Sequence, residues 1–297
     1  MKKIKFIFLA SLVLIFLFIM VKDLVDNNSV NNIVELFFLP SLSCLYKLYQ
    51  DMFDVLDWQK SQRMLIRGKF ITNNTVVRIS FSYLYRIKVG DKYLLIKNDR
   101  GTDKYQPIGG VYKFEEGEKL ILKNKFQIID DSKIPIDESS YNDYRLRLKN
   151  KYLRKFIQHF DVDAKREKIN NLSREFREEV IESSALDWNE ISYRFCGRHM
   201  TKLNYSDHFQ IYELLLADIV EVLLNKDQEK ELNELVNSLP DKYRLATEEE
   251  ILSLGVNTNF MQLRENISNH STKILQIKED ELQKITGVGK VYSVRLK

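Results

Sequence analysis

The run Val77 to Val89 constrains the fold more than any other stretch of the chain. Val77, Ile79, Phe81, Tyr83, Tyr85, Ile87 and Val89 share one parity; Arg78, Ser80, Ser82, Arg86 and Lys88 share the other. A period of two over that length predicts a β-strand with one buried face, and no amphipathic helix tolerates it. Gly90-Asp91 then supplies a tight turn, and Tyr93 to Lys97 reads as the returning strand of a hairpin. A second turn, Asn98 to Gly101, leads to the stretch Lys104 to Glu118, which carries the glycine pair Gly109-Gly110. A glycine pair permits either a plain turn between strands or a loop whose backbone approaches a ligand closely.

Further along, Leu172-Ser-Arg-Glu-Phe-Arg-Glu-Glu-Val180 concentrates acid. On a helix, Leu172, Phe176 and Val180 form one apolar stripe, with Glu175, Glu178, Glu179 and Glu182 grouped beside it. Such a face is either simply solvated, the commoner case, or a set of oxygen ligands for a hard cation such as Mg²⁺ or Mn²⁺.

Between these stretches, Leu120 to Ile129 reads as strand-like. A helix is expected over Tyr144 to Phe160, with Arg145, Arg147, Lys149, Lys151, Arg154 and Lys155 on its basic side. That side is either solvated or faces an anionic ligand or lipid head groups. Ile191 to Cys196 and Phe209 to Val220 read as strands, Asp227 to Leu239 as an amphipathic helix, and Thr247 to Glu250 as a capping box for a helix ended by Gly255. The stretch Leu282 to Leu296, with Gly287 and Gly289, resembles either a helix-hairpin-helix element or a plain helical cap, within a C-terminal helical extension expected over 256–297.

The N-terminus differs in kind. Lysines at 2, 3 and 5 precede an apolar run, Phe6 to Val21, that lacks a small-residue cleavage site. A second, weaker apolar segment, Ile33 to Leu48, contains Glu35, Pro40 and Lys47. Basic residues flank both outer ends and are scarce between them. The positive-inside rule then predicts two transmembrane helices, about 6–21 and 33–48, with both termini cytoplasmic. The alternative for the second segment is an amphipathic helix on the membrane surface. The expected organisation is a membrane anchor over 1–50, a linker over 51–69 and a folded domain over 70–255. Hydrophobic content of 44% and charged content of 30% exclude wholesale disorder. A net charge of +4 gives no argument for nucleic acid. Two distant cysteines, Cys44 and Cys196, give neither a disulfide framework nor a zinc site.

Gly110 and Glu116 stand in G-x5-E spacing, and Arg174, Glu175, Phe176, Glu178 and Glu179 spell R-E-U-x-E-E, with U a bulky apolar residue. Together they resemble the Nudix box, G-x5-E-x7-R-E-U-x-E-E-x-G-U. The halves are separated by about 50 extra residues, an insertion over about 119–173, and Ile181 and Glu182 replace the last Gly-U pair. Arg244 to Ile251 also resembles the closing pattern of Nudix domains. The resemblance implies an α/β fold, a Nudix-like α/β/α sandwich with a mixed sheet and a large insertion, preceded here by a transmembrane helical hairpin. It implies metal binding, Mg²⁺ or Mn²⁺, at Glu175, Glu178 and Glu179, with Glu178 catalytic. Gly109, Gly110 and Arg174 would bind ligand, Arg174 supporting the loop through hydrogen bonds to carboxylate.

A membrane hairpin joined to a divergent Nudix domain resembles the SMODS-associated Nudix effectors of CBASS anti-phage systems. That resemblance implies a multi-pass protein of the bacterial inner membrane, its folded domain cytoplasmic. It would bind a cyclic nucleotide made by a partner synthase, oligomerise, and disrupt the lipid bilayer in abortive infection. The alternatives are a membrane-anchored, metal-dependent hydrolase of nucleoside diphosphate derivatives and a non-enzymatic membrane scaffold.

Overall fold

A computed structural model describes residues 2–26, 31–98, 103–131, 133, 140–184, 186–256 and 266–296. The chain divides into two compact units, Met1–Phe70 and Ile71–Lys297.

The first unit is helical: α1 (Lys2–Asp26), α2 (Asn31–Phe53) and α3 (Asp57–Arg67). The two expected spans therefore do form helices. Yet among the described residues no helix is long and apolar enough to cross a membrane. The physical reasons are legible: the first apolar run falls short of the ~20 residues a span requires, and Glu35, Pro40 and Lys47 interrupt the second. Helix α3 occupies the stretch expected to be a linker, and Arg67 reaches back to the Lys47 carbonyl and the Asp51 carboxylate.

The second unit is built on β1 (Val76–Arg86), the strand that the alternation predicts. Val77, Ile79, Phe81, Tyr83 and Tyr85 are buried, as expected. Its other face is not fully solvated either: Arg78 and Arg86 are buried, and Ser80, Ser82 and Leu84 partly so. Further strands are β2 (Lys88–Val89), β3 (Lys92–Lys97), β4 (Tyr105–Gln106), β5 (Gly109–Val111), β6 (Ile129–Asp130), β7 (Arg145–Lys149), β8 (Glu190–Met200), β9 (Asn204–Ser206), β10 (Ile211–Val222), β11 (Tyr243–Ala246) and β12 (Val291–Arg295). The larger sheet runs β12-β8-β10-β1-β7-β6, with β5 on β1 and β9 on β10; the smaller runs β11-β3-β2, with β4 on β3. Strands β1 and β10 are parallel and their neighbours antiparallel, so the larger sheet is mixed, as predicted.

One face of β1 is aromatic. Phe81 meets Phe160 edge-on at 4.8 Å on α5 (Leu153–Val162), and Tyr85 meets Phe176 at 5.6 Å. The Arg86 end of the other face meets the C-terminal stretch: Arg86 donates to the carbonyls of Ile274 and Leu275 and pairs with Glu279 at 2.7 Å. A full cation in that position is tolerable only because every arm of the guanidinium has a partner. The smaller sheet contributes Tyr93 and Leu95 to the core beside it, together with Ile251 of α8 (Glu248–Leu252). Before α8 lies α7 (Lys226–Ser238), close to the expected helix.

Three local expectations are corrected. The strand-like stretch from Leu120 is helix α4 (Glu118–Phe126), capped by Gly117 and stopped by Gln127 in the left-handed region at φ 53°. The helix expected over Tyr144 to Phe160 begins only at Leu153. Arg145–Lys149 pairs with β1 instead, since Leu146 and Leu148 alternate with the basic residues at period two. The insertion thus extends the sheet. Finally, the described part of the expected C-terminal helical extension, 266–296, holds no α-helix, and 257–265 lie outside the described residues. Beyond two 3₁₀ turns, Asn269–Ile274 and Gln276–Glu281, it ends in β12, and Gly287 to Gly289 form the turn leading into it.

Candidate functional site

The glycine pair and the acidic helix meet. Gly109 and Gly110 sit in β5 opposite Leu84 and Tyr83 of β1. A Cβ on Gly109, at φ 151°, would lie 2.3 Å from the Tyr83 carbonyl, and one on Gly110 would lie 1.8 Å from Oε1 of Glu175. The first position is closed to any side chain by backbone, whereas the second is occupied by a carboxylate that a side chain there would have to displace.

The acidic segment is a single α-turn, α6 (Arg174–Phe176), that widens into a π-helical turn, Arg177–Ile181, closed by Glu182 N–H donating to the Arg177 carbonyl. Insertions of this kind recur at functional sites. The expected stripe is observed: Leu172, Phe176 and Val180 are fully buried. Phe176 stacks on Trp188, and Tyr85 and Tyr193 hold the two peptide groups of Leu172 at 2.9 and 2.8 Å. Tyr243 donates to the Glu179 carbonyl at 2.6 Å. The acidic face is therefore fixed from behind by aromatic packing and from its end by a phenol.

Arg174 organises the site. It donates to both oxygens of Glu167 and to the Val111 carbonyl at 3.0 Å, and it pairs with Glu175. Burial by itself would lower its pKa, but Glu167 and Glu175 hold it above the ordinary arginine value. Burial pushes the Glu175 carboxyl up, opposed by Arg174. The predicted partner half of the motif is not where spacing put it. Glu116 is exposed, before α4, and the carboxylate that serves Arg174 is Glu167. The signal was present in the sequence, since Glu167 precedes Arg174 by nearly the interval the family pattern gives its own Glu-Arg pair.

Glu175, Glu178 and Glu179 line a cavity of about 600 Å³ together with Gly109 and Gly110. The same cavity is also lined by cations, Lys97, Lys104, Arg145 and Lys242. An adjoining cavity of about 480 Å³ shares Gly109, Gly110, Arg145 and His270 and reaches Lys273. Burial lowers the Lys273 pKa. Burial pushes Asp143, beside Arg145, up to about 6. None of these cations follows from the box, because β3, β7 and the C-terminal turns bring them in from outside it.

Oxygen donors in this number suit Mg²⁺ or Mn²⁺. Their placement does not. Among the described residues no three acidic, histidine or cysteine side chains converge to hold a metal ion. Glu175 is engaged by Arg174, Glu179 accepts from the Gly109 N–H at 3.2 Å, and Glu178 stands 3.8 Å from Arg174. As placed, Glu175 and Glu179 accept from the protein's own donors, whereas Glu178 makes only this longer contact.

No curated protein matches the chain. The model of the SMODS-associated NUDIX domain does, over residues 76–275, a stretch that opens at β1 and takes in Gly109, Gly110, Glu167 and the whole acidic turn. With more than half its length so matched, the chain belongs to the SMODS-associated NUDIX domain family.

Proposed function

We propose that this domain is the sensing part of a CBASS effector and binds a cyclic nucleotide second messenger in the cavity between the acidic turn and β5. One observation carries it: Lys97, Lys104, Arg145 and Lys242 surround a cavity of nucleotide size whose floor is closely approached backbone. Phosphates pair with these cations, and the carboxylates of the acidic turn accept from base or ribose donors. Membrane action belongs to the same proposal. It is supported by the apolar side chains that α1 and α2 leave exposed, among them Phe8 at 70%, Phe18 at 69% and Leu39 at 67%. Ligand binding that favours one arrangement of the chain over another would shift the population toward an assembled, bilayer-disrupting form at the bacterial inner membrane. Calorimetry of the full chain in detergent, against cyclic di- and trinucleotides, tests this. One of them is expected to bind at micromolar strength or better, and Arg145→Glu to abolish that binding. In dye-loaded vesicles the same nucleotide is expected to release the dye. No binding by any of them, or vesicles that stay sealed, would sink the proposal.

A second reading is a hydrolase of nucleoside diphosphate derivatives. It is favoured by Glu178, whose side chain is 45% exposed and lines the same cavity. Release of nucleoside monophosphate, with and without added Mg²⁺ or Mn²⁺, tests it. A hydrolase loses that release in Glu178→Gln, whereas a sensor keeps its nucleotide-dependent vesicle leakage.

A further inference from the structure

A second cavity, of about 750 Å³, lies away from the acidic turn, among the end of α5, strand β8 and the C-terminal stretch. Two of its lysines, Lys284 and Lys290, come from beyond residue 275, where the family match ends. That stretch is held in place by backbone at both ends. Gln283 and Arg198 exchange N–H···O bonds of 2.8 and 3.2 Å. Phe195 donates to the Lys290 carbonyl at 3.0 Å and accepts from Gly289 at 2.8 Å. The close approach depends on Gly197, at φ 140°, where a Cβ would stand 2.9 Å from the Cβ of Leu282.

The charge in this cavity is unbalanced. Asp161 and Asp218 are its carboxylates, and Arg198 takes both, at 2.7 Å to each. Asp218 also accepts from the Tyr112 hydroxyl at 2.8 Å. Arg166 lies 3.6 Å over the Phe160 ring and, among the described residues, donates to backbone carbonyls and makes no ion pair. Lys168, Lys284 and Lys290 make no ion pair among the described residues. Five cations, Arg166, Lys168, Arg198, Lys284 and Lys290, face two carboxylates, so three positive charges are in excess round one concavity, and a multiply charged anion relieves their repulsion.

We propose that this cavity is a second anion site, for a soluble ligand carrying several phosphates, and that the C-terminal stretch exists in part to complete it. Arg166 and Lys168 take one side of the anion, Lys284 and Lys290 the other. The Arg198–Asp218–Tyr112 network beneath them is rigid and fully paired. Tyr112 follows Val111 of β5 directly, so the network beneath the anion is joined through the chain to the strand that floors the other cavity.

Inorganic tripolyphosphate titrated into the full chain in detergent, at physiological salt, is the test. The wild type is expected to bind it at a single site. Lys284→Glu combined with Lys290→Glu is expected to weaken binding at least ~10-fold through the loss and reversal of two charge-assisted contacts. Both side chains are exposed and their backbone bonds are kept, so the melting temperature is expected to hold. Lys168→Glu, on the facing wall, is expected to weaken binding too. Arg145→Glu, in the cavity proposed for the cyclic nucleotide, is expected to leave it unchanged. Failure to bind in the wild type, binding that survives the double reversal, or equal weakening by Arg145→Glu would each overturn the proposal. None of these outcomes bears on cyclic nucleotide binding, which Arg145→Glu tests separately.

Discussion

Glu167 receives the Arg174 guanidinium on both of its oxygens, Nε at 2.8 Å and Nη2 at 3.3 Å, and also accepts from the Lys113 N–H at 2.9 Å. This one carboxylate joins the acidic turn to the loop that follows β5. Both partners are about four-fifths buried, so a lost member leaves a charged group without its hydrogen bonds. Glu167→Gln is expected to cost about 1–3 kcal/mol in urea unfolding. Glu116→Gln, at the position the motif spacing favoured, is expected to cost nothing measurable. Equal effects of the two changes would contradict this assignment.

Adding one methyl group separates the roles of the two glycines. Gly109→Ala drives a Cβ into the Tyr83 carbonyl and the Leu84 Cα, which are backbone and cannot turn aside. It is expected to destabilise the domain by about 2 kcal/mol or more. Gly110→Ala meets only the end of the Glu175 side chain, which can rotate. The fold is expected to survive with a similar urea midpoint, while the displaced carboxylate weakens nucleotide binding. Similar midpoints for the two variants would show that the β5 backbone is not held as described.

These contrasts show what was legible in the sequence. Strand β1 was, because burial of alternate residues writes its period directly into Val77 to Val89. So were the faces of the acidic turn, and the Thr247 cap, whose hydroxyl accepts from the Glu250 N–H. Strand β7 was hidden: Leu146 and Leu148 run straight into the apolar face of α5, and a mixed period reads as one long helix. Glu167 was hidden by a nearer match, Glu116, because a motif records sequence distance and the insertion breaks its link to distance in space. The cations of the cavity were not legible at all. Lys97 and Arg145 lie on two strands and Lys242 in the turn just before a third, and only sheet pairing brings them together.

Two buried tyrosines, Tyr83 on β1 and Tyr112 just after β5, should behave oppositely. The hydroxyl of Tyr83 is buried with no hydrogen-bond partner among the described residues, whereas that of Tyr112 donates to Asp218. Removing an unpaired buried hydroxyl relieves a desolvation cost. Tyr83→Phe is therefore expected to be neutral or to stabilise by up to about 1 kcal/mol, and Tyr112→Phe to destabilise by about 1–3 kcal/mol. Thermal unfolding of the two variants side by side checks the difference in sign. A loss of stability in Tyr83→Phe would mean that its hydroxyl has a partner.

Asp143 supplies a pH dependence whose direction can be fixed beforehand. Burial pushes its carboxyl from 3.8 up to about 6, although Arg145 stands 3.1 Å away and Lys113 3.8 Å away. The raised value means that the folded chain prefers the protonated form. Between about pH 4 and 6 the native state then binds more protons than the unfolded chain, so this group's contribution is full at low pH and is lost as the pH rises. A shift of that size corresponds to about 3 kcal/mol as an upper figure. Asp143→Asn cannot titrate. Its stability relative to the wild type is therefore expected to improve from pH 4 to pH 7 by as much as that figure, whatever constant offset the loss of the two ion pairs adds. Urea unfolding of both proteins at unit pH intervals reads this out directly. Parallel curves would mean that Arg145 and Lys113 keep the carboxylate ionised throughout. The side chain would then be a fixed anion on the cavity wall, competing with any phosphate for Arg145 at every pH.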